Sequence, residues 1–442
     1  MASKHLIQPR TLKGFKDYLP AAMIPREWLI ETARGVYRSF GFSPIDTPAL
    51  EYAEILLGKG GDESDRQVYR FVRGQREIAL RFDLTVPLAR FIAQHEHTLG
   101  LPFKRYHIGP VWRGENTQRG RYREFTQCDF DTLGTDGMLA DAETGLVIHE
   151  LFRAIGFERF TIRLNNRKVL SGLLETLDLK QQAVPVLRAL DKLGKLGKER
   201  VTEELVSAAG ASPAQCRAIL EFSAIQGGPR EILDAVEPRV SGSPLGAEGV
   251  AQLREVVAGL EAGGVGQDNL QLDLSIARGL DYYTGTVYET FLGDLPDIGS
   301  VCSGGRYDDL ASTYTKSHIP GIGASLGLDR LLAAMEELSM IEPVATPAPV
   351  FLPFFCADRG PDYCRLAMSL RRAGLATELY PNPRKLGEQL RYAGRRGFKV
   401  AVIIGEQEWA DGTCQLKQLE SKEEERLPVS DLVSRLLELL AP

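Results

Sequence analysis

The chain has 442 residues, 43% of them hydrophobic and 25% charged, with a net charge of −6. That length supports two or three domains, each able to bury its own core, and the absence of any run of about 18 apolar residues excludes a membrane-spanning helix. The acidic total offers no global attraction for nucleic acid, although local basic surface would be enough for that.

Six cysteines are scattered without a C-x-x-C pair. This argues against a thiolate zinc site and fits reduced thiols of a cytoplasmic protein. His95 and His97 are close, but no third ligand accompanies them, so no metal site is expected. The first twenty residues, "MASKHLIQPRTLKGFKDYLP", lack an apolar core of signal-peptide length.

Residues 23–40 predict an amphipathic helix, with Trp28, Leu29, Ala33, Val36, Tyr37 and Phe40 at helical spacings. "GFSPIDTPALEY" ends it: Gly41 suits a C-cap, and the prolines enforce extended chain. "REIALRFDLTVPLARFIAQ" predicts a strand, a turn, then a helix starting near Thr85 with Pro87 in its first turn. "FKRYHIGPVWRGENTQRGRYREFTQCDFDTLG" predicts a long hairpin with a basic tip. Its strands are expected at Arg105–His107 and Val111–Arg113, returning over Tyr122–Phe130.

A helix at 139–156 and a strand at "RFTIRLNN" follow. Residues 168–265 read as an inserted helical module, rich in Leu, Ala, Lys and Glu. "RGLDYYTGTVYE", residues 278–289, then alternates as a strand, with Leu280, Tyr282, Thr284, Thr286 and Tyr288 on one face. Its opening Arg278 allows two readings. Either it pairs with an acid while the tyrosines fill a core, or it binds an anion at one end of a pocket. "IPGIGASLGLDRLLAAMEEL" predicts a glycine-rich strand entering a helix.

"MIEPVATPAPV" reads as a linker. Beyond it, strand and helix signals alternate, predicting a small α/β domain with mostly parallel strands. Its helix at 384–396 carries Arg384, Lys385, Arg391, Arg395 and Arg396. That face suits either solvent or RNA phosphates.

Arginines gather at three strand ends: Arg113 beside Glu115, with Arg119, Arg121 and Arg123 around the loop; Arg278; and Arg330. A guanidinium fork donates two parallel hydrogen bonds to a phosphate. No G-x-x-x-x-G-K-[ST] loop is present, and no dinucleotide-type glycine fingerprint. Triphosphate chemistry would therefore use an antiparallel sheet with arginine clamps.

The segment "FKRYHIGPVWRGENTQRGRYREF" resembles motif 2 of the class II aminoacyl-tRNA synthetases. "GIGASLGLDRLL" resembles their motif 3, and "GFSPIDTPALE" their motif 1, whose proline lies at a dimer interface. "RGLDYYTGTVYE" and "SGGRYDDL" are similar to the two histidine motifs of the histidyl-tRNA synthetase family. "PRKLGEQLRYAGRRGFKVAVIIGEQEWADGTCQLKQL" is similar to the anticodon-binding domain of the histidine, proline, threonine and glycine enzymes.

The resemblance implies an α+β fold: an antiparallel catalytic sheet with flanking helices, a helical insertion, and a C-terminal α/β anticodon-binding-like domain. The catalytic domain would occupy residues 1–167 and 266–342, the insertion 168–265, and the anticodon-binding domain 350–442. The implied activity is ATP-dependent attachment of L-histidine to tRNA(His) through a histidyl-adenylate, with Mg2+ on the ATP phosphates. A homodimer in the cytoplasm is expected.

Carried onto this sequence, Arg278 and Arg113 would be catalytic. Asp83, Thr85 and Gln127 would hold the histidine backbone, and Asp131, Tyr282 and Tyr283 its ring. Arg113, Glu115, Arg121, Phe125 and Arg330 would bind ATP. A paralogous role is the alternative: a non-catalytic, histidine-sensing regulatory subunit of ATP phosphoribosyltransferase.

Overall fold

The structure is a computed structural model that describes residues 7–58, 65–117, 120–277, 283–341 and 346–441. Two compact units form, one from residues 1–16 and 28–340, the other from 17–27 and 341–442.

Helix α1, Pro20–Ser39, places Leu29, Ala33 and Tyr37 at i, i+4 and i+8, all fully buried. Trp28, expected on the same face, is 47% exposed. It sits about 100° around the helix from Leu29, off the apolar stripe. Gly41 follows with φ +81°, a left-handed turn that costs glycine nothing.

The first unit is built on an eight-stranded sheet. Its strands are β1 (Ser43–Pro44), β5 (Phe103–Trp112), β6 (Glu124–Leu133), β7 (Phe160–Asn166), β8 (Leu270–Leu272), β9 (Thr286–Leu292), β10 (Cys302–Tyr307) and β11 (Gly321–Gly327). The spatial order is β1-β5-β6-β11-β10-β9-β7-β8. The two outermost pairs are parallel and every inner pair is antiparallel. A second, antiparallel sheet joins β2 (Leu50–Tyr52), β4 (Arg76–Leu80) and β3 (Arg70–Arg73) in that order.

The predicted hairpin is present, with longer arms. Strand β5 runs unbroken through Gly109 and Pro110, both in register with β6. Proline is tolerated there because β1 pairs only with Arg105 and Tyr106, so the outer edge of β5 has no ladder to lose at Pro110.

The strand predicted over 278–289 starts later, at Thr286, and runs to Leu292. Both its faces are buried: Val287, Tyr288, Glu289 and Thr290 are each 5% exposed or less. Residues 278–282 lie outside the described residues.

Helix α2 (Thr85–Leu99) leads into β5, and α3 (Met138–Ile155) leads from β6 to β7. The α3 residue Asp141 pairs with Arg306 of β10, whose Nη1 also donates to Thr135 O at 3.0 Å. A helical stretch then runs from α4 (Arg167–Thr176) to α9 (Pro244–Ala262), with α5 (Ala183–Leu190), α6 (Leu193–Ala209), α7 (Pro213–Ser223) and α8 (Pro229–Val240) between. Helices α4 and α9 approach so closely that a Cβ on Gly172 would lie 2.3 Å from Gly246 Cα. Helix α10 (Leu328–Glu337) continues directly from β11.

The second unit has a five-stranded sheet in the order β13-β12-β14-β15-β16. Strands β12 (Val350–Leu352), β13 (Thr377–Leu379) and β14 (Val400–Ile403) are parallel, linked by α11 (Gly360–Arg372) and α12 (Leu386–Arg396). The expectation of mostly parallel strands needs correcting at the other edge. There β15 (Thr413–Gln418) and β16 (Glu424–Pro428) add an antiparallel hairpin. It bears charged residues outward and buries only Cys414, Leu416 and Leu427, so its apolar alternation is weak.

Candidate active site

Strand β6 has two buried faces of opposite character. Cys128 and Phe130 face α1, where the Tyr37 hydroxyl donates to Cys128 O at 3.1 Å and the Tyr37 and Phe130 rings lie 5.1 Å apart. The alternate residues Gln127, Asp129 and Asp131 turn the other way. They line a cavity of about 340 Å³. A central strand normally buries apolar residues on both sides; here one side is polar and empty-backed, which marks it for a ligand.

Register decides what surrounds these side chains. Asp131 lies between Arg105 on β5 and Gly323 on β11; Asp129 lies between His107 and Ser325; Gln127 lies between Gly109 and Gly327. Directly paired residues share a sheet face. The glycines create the space. A Cβ on Gly323 would come within 2.1 Å of Asp131 Oδ1, and one on Gly305 would meet the Tyr283 ring at 2.8 Å.

Asp131 is held from two sides. Arg105 Nη2 lies 2.6 Å from its Oδ2, and the Tyr307 hydroxyl donates to its Oδ1. Burial pushes the Asp131 carboxyl above its ordinary range; the Arg105 guanidinium and the Tyr307 hydroxyl pull it back. The "SGGRY" segment thus divides by strand period, sending Arg306 to Asp141 and Tyr307 to Asp131.

Asp83 Oδ1 accepts from the Val86 backbone N–H at 2.9 Å, capping the first turn of α2. Burial raises its carboxyl too, against Val86 and the Arg113 charge. Asp129, between these two aspartates, is pushed up to about 7, chiefly by burial, with Arg105 and the Ser325 hydroxyl opposing. His107 is pushed down to about 3 by burial and by the Arg105 and Arg81 charges, so its imidazole is neutral.

At the other end of the cavity, Arg113 follows β5. Its Nε donates to Phe82 O at 3.1 Å, and its guanidinium lies 4.3 Å from the Phe82 ring centre and 5.1 Å from that of Phe125. These contacts aim a planar cation at the cavity. Asp329 accepts from the Thr126 backbone N–H at 3.0 Å, tying α10 to β6. Arg330 Nη1 donates to Ser300 O. A Cβ on Gly120 would lie 3.1 Å from Arg330 Cα, so the hairpin loop closes against the start of α10.

Asp83, Thr85, Arg113, Glu115, Arg121, Phe125, Gln127, Asp131, Tyr283 and Arg330 all line this one cavity. Arg278 and Tyr282 fall outside the described residues. The sequence reading did not single out Arg105, Asp129, Tyr307 or Ser325. Period-two spacing from Gln127 and Asp131 would have found Asp129. The other three depend on cross-strand register, which spacing does not carry. Among the described residues, no group of three His, Cys, Asp or Glu side chains is arranged for a metal ion.

Residues 14–331 match the family described as histidyl-tRNA synthetase. The chain belongs to the histidyl-tRNA synthetase family. Residues 357–439 match the family described as anticodon binding domain. The chain is similar to the histidine–tRNA ligase of Rhodopirellula baltica, with 58% identity over 96% of each chain. It is also similar to that of Wolinella succinogenes, with 46% identity over 95% of this chain and 96% of the relative. Among solved structures, the histidyl-tRNA synthetase from Nostoc sp. PCC 7120 superposes with a TM-score of 0.91 at 36% identity, covering 98% of this chain and all of that one. A Bacillus halodurans protein described as an ATP phosphoribosyltransferase regulatory subunit/histidyl-tRNA synthetase shares the fold, with a TM-score of 0.75 at 21% identity.

Proposed function

We infer that this protein attaches L-histidine to tRNA(His) at the expense of ATP. The observation that carries the reading is the single cavity, in a chain of this family, that gathers an aspartate-rich end and an arginine–aromatic end on one sheet. The reaction has two steps. The histidine carboxylate attacks the ATP α-phosphorus in line, pyrophosphate leaves, and the adenylate then acylates the 3′-hydroxyl of the terminal ribose. Magnesium enters and leaves with the phosphates, as part of the substrate.

We assign the roles as follows. Asp131 and Tyr283 bind the two unlike imidazole nitrogens, one as acceptor and one as a phenol able to donate; Tyr282 belongs to the same motif. The Arg105 and Tyr307 contacts support Asp131 as a fixed acceptor. Asp83, Thr85 and Gln127 hold the α-ammonium end. Arg113 binds the α-phosphate, where charge grows in the transition state, and Arg278 meets it from the opposite side with the histidine carboxylate. Phe125 and Arg330 sandwich adenine, and Glu115 and Arg121 contact the nucleotide from the loop.

The second unit reads the tRNA. Its match to anticodon-binding domains supports this, as does a surface pocket where Tyr380 and Tyr392 stand among Arg384, Arg391 and Arg395. Aromatic faces stack on unpaired bases while arginines meet phosphates. The retained second unit, with Arg113 and Arg330 in place, disfavours the purely regulatory role.

We also propose a homodimer. In the small sheet, Tyr52 and Phe71 both flank Ile78 across adjacent strands. Tyr52 and Phe71 are each 47% exposed, and Leu50 45%. An apolar face of this kind is typical of a surface covered by a partner, and sedimentation at micromolar concentration measures it. A cytoplasmic location accords with six scattered cysteines that form no C-x-x-C pair.

Histidine-dependent exchange of pyrophosphate into ATP tests the activity directly. Exchange driven equally by other amino acids, or none with histidine, overturns the reading.

A further inference from the structure

Of the three aspartates around the amino-acid end of the cavity, two have strong partners. Asp131 has Arg105 and Tyr307; Asp83 caps α2. Asp129 makes no ion pair among the described residues. It is 2% exposed, and its contacts are the Ser325 hydroxyl and the Gln127 Nε2 at 3.4 Å. Gln127 Nε2 also donates to Ser325 Oγ at 2.9 Å. The amide's other end, Oε1, is buried and accepts no hydrogen bond among the described residues. A buried carbonyl and a buried carboxyl therefore stand together at a cavity wall, and both lack a strong donor. Leaving such acceptors unmet is costly. A primary ammonium supplies three N–H donors and the missing positive charge.

We propose that Asp129 is a further substrate-binding residue, which meets the α-ammonium together with Gln127 and makes histidine capture a proton-releasing event. This rests on reading the cavity as the histidine site. In the empty cavity the Asp129 carboxyl keeps its proton over much of the neutral range. The arriving ammonium stabilises the carboxylate, the carboxyl O–H bond breaks, and the proton passes to bulk buffer. Nothing is oxidised or reduced.

The charged surroundings favour this exchange. From β5, Arg105 favours the charged carboxylate, whereas His107 is neutral. Asp131 and Asp83 oppose ionisation. Arg81, whose guanidinium lies over Gly109 beside His107, also feels the Asp129 charge. On the opposite, α1 side of the sheet, Tyr37 and Cys302 of β10 are neutral groups, their own protons held more tightly chiefly by burial, with a further push from Asp129. Burial and two like charges thus hold the proton on, and a new cation can release it.

The test is calorimetric titration of the full chain with L-histidine from pH 6 to 8.5, in two buffers of different ionisation enthalpy. Near pH 7 the wild-type protein should release more protons than the free histidine ring accounts for. Its dissociation constant should fall up to about tenfold per pH unit below pH 7 and level off above it. Asp129→Asn should lose the extra release and flatten the profile, binding roughly tenfold or more weakly at pH 8 and converging on wild type near pH 6. Equal proton release and parallel profiles in the two proteins overturn the inference. If Asp129→Asn does not fold, the wild-type titration decides alone: release no greater than that of the free ring overturns it. A wild-type chain that fails to bind histidine overturns instead the reading of the site.

Discussion

Arg105 and Asp131 form an ion pair at 2.6 Å beneath the cavity, with the arginine side chain wholly buried. The approach is close but off-axis: no N–H of Arg105 makes an aligned hydrogen bond among the described residues. The pair thus holds by charge. Arg105 also offsets the charges of Asp83 and Asp129, so one guanidinium stabilises three carboxylates.

Arg105→Met should therefore destabilise the fold by about 3–5 kcal/mol, the cost of breaking a buried pair from one side. Adding Asp131→Asn should recover part of that loss, because the stranded charge is removed. Denaturant unfolding of both variants measures it. A double variant no more stable than Arg105→Met alone would show that the arginine acts by packing rather than by charge.

Gly323→Ala places a methyl 2.1 Å from Asp131 Oδ1. The carboxylate must turn away, so histidine should bind at least about tenfold more weakly, within the ~1–3 kcal/mol typical of overpacking. ATP affinity should change little, since Phe125 and Arg113 lie at the other end of the cavity. Equilibrium binding of each substrate separates the two effects.

Asp129 carries a stability cost that depends on pH. Its folded-state value, about 7, lies above the ordinary 3.8. The native protein therefore binds this proton more tightly, and the Asp129 contribution to stability falls as pH rises from about 4 to about 7. Asp129→Asn escapes that loss. In the absence of ligand it should match wild type in melting temperature near pH 4 and exceed it at pH 8. A constant offset at both pH values would count against the assignment.

Arg113→Ala and Arg278→Ala should each slow adenylate formation about 10²–10³-fold, the loss typical of one preorganised donor. Tyr283→Phe should instead weaken histidine binding by about 1–3 kcal/mol, the cost of an unmet buried polar group, with less effect on kcat than on KM. Single-turnover kinetics distinguish these patterns. Wild-type rates in either arginine variant would remove that residue from the mechanism.

A chain ending at Met340, the last residue of the first unit before the linker, retains every residue assigned to the cavity. It should still exchange pyrophosphate with histidine, while its charging of tRNA falls steeply. Unimpaired charging would rule out an anticodon role for the second unit.

The order of the described elements, the helical stretch and the placement of Arg113 just past β5 and of Arg330 just past β11 were legible from the sequence, because periodicity and turn chemistry are local. The motif residues Asp83, Arg113, Phe125, Gln127, Asp131, Tyr283 and Arg330 could be named for the same reason: each sits in a short segment with its own pattern. Tertiary structure alone decided which side chains meet. Nothing local to "FKRYH" shows that Arg105 lies opposite Asp131, or that Tyr307, 176 residues further on than Asp131, donates to it. Nor does "GIGASLG" reveal that Gly323 is the glycine that makes room. These contacts depend on register between strands distant in sequence, and a slip of one residue would turn each side chain to the opposite face. The protonation of Asp129 lies further still from the sequence, since it depends on burial and on charges contributed by several separate segments.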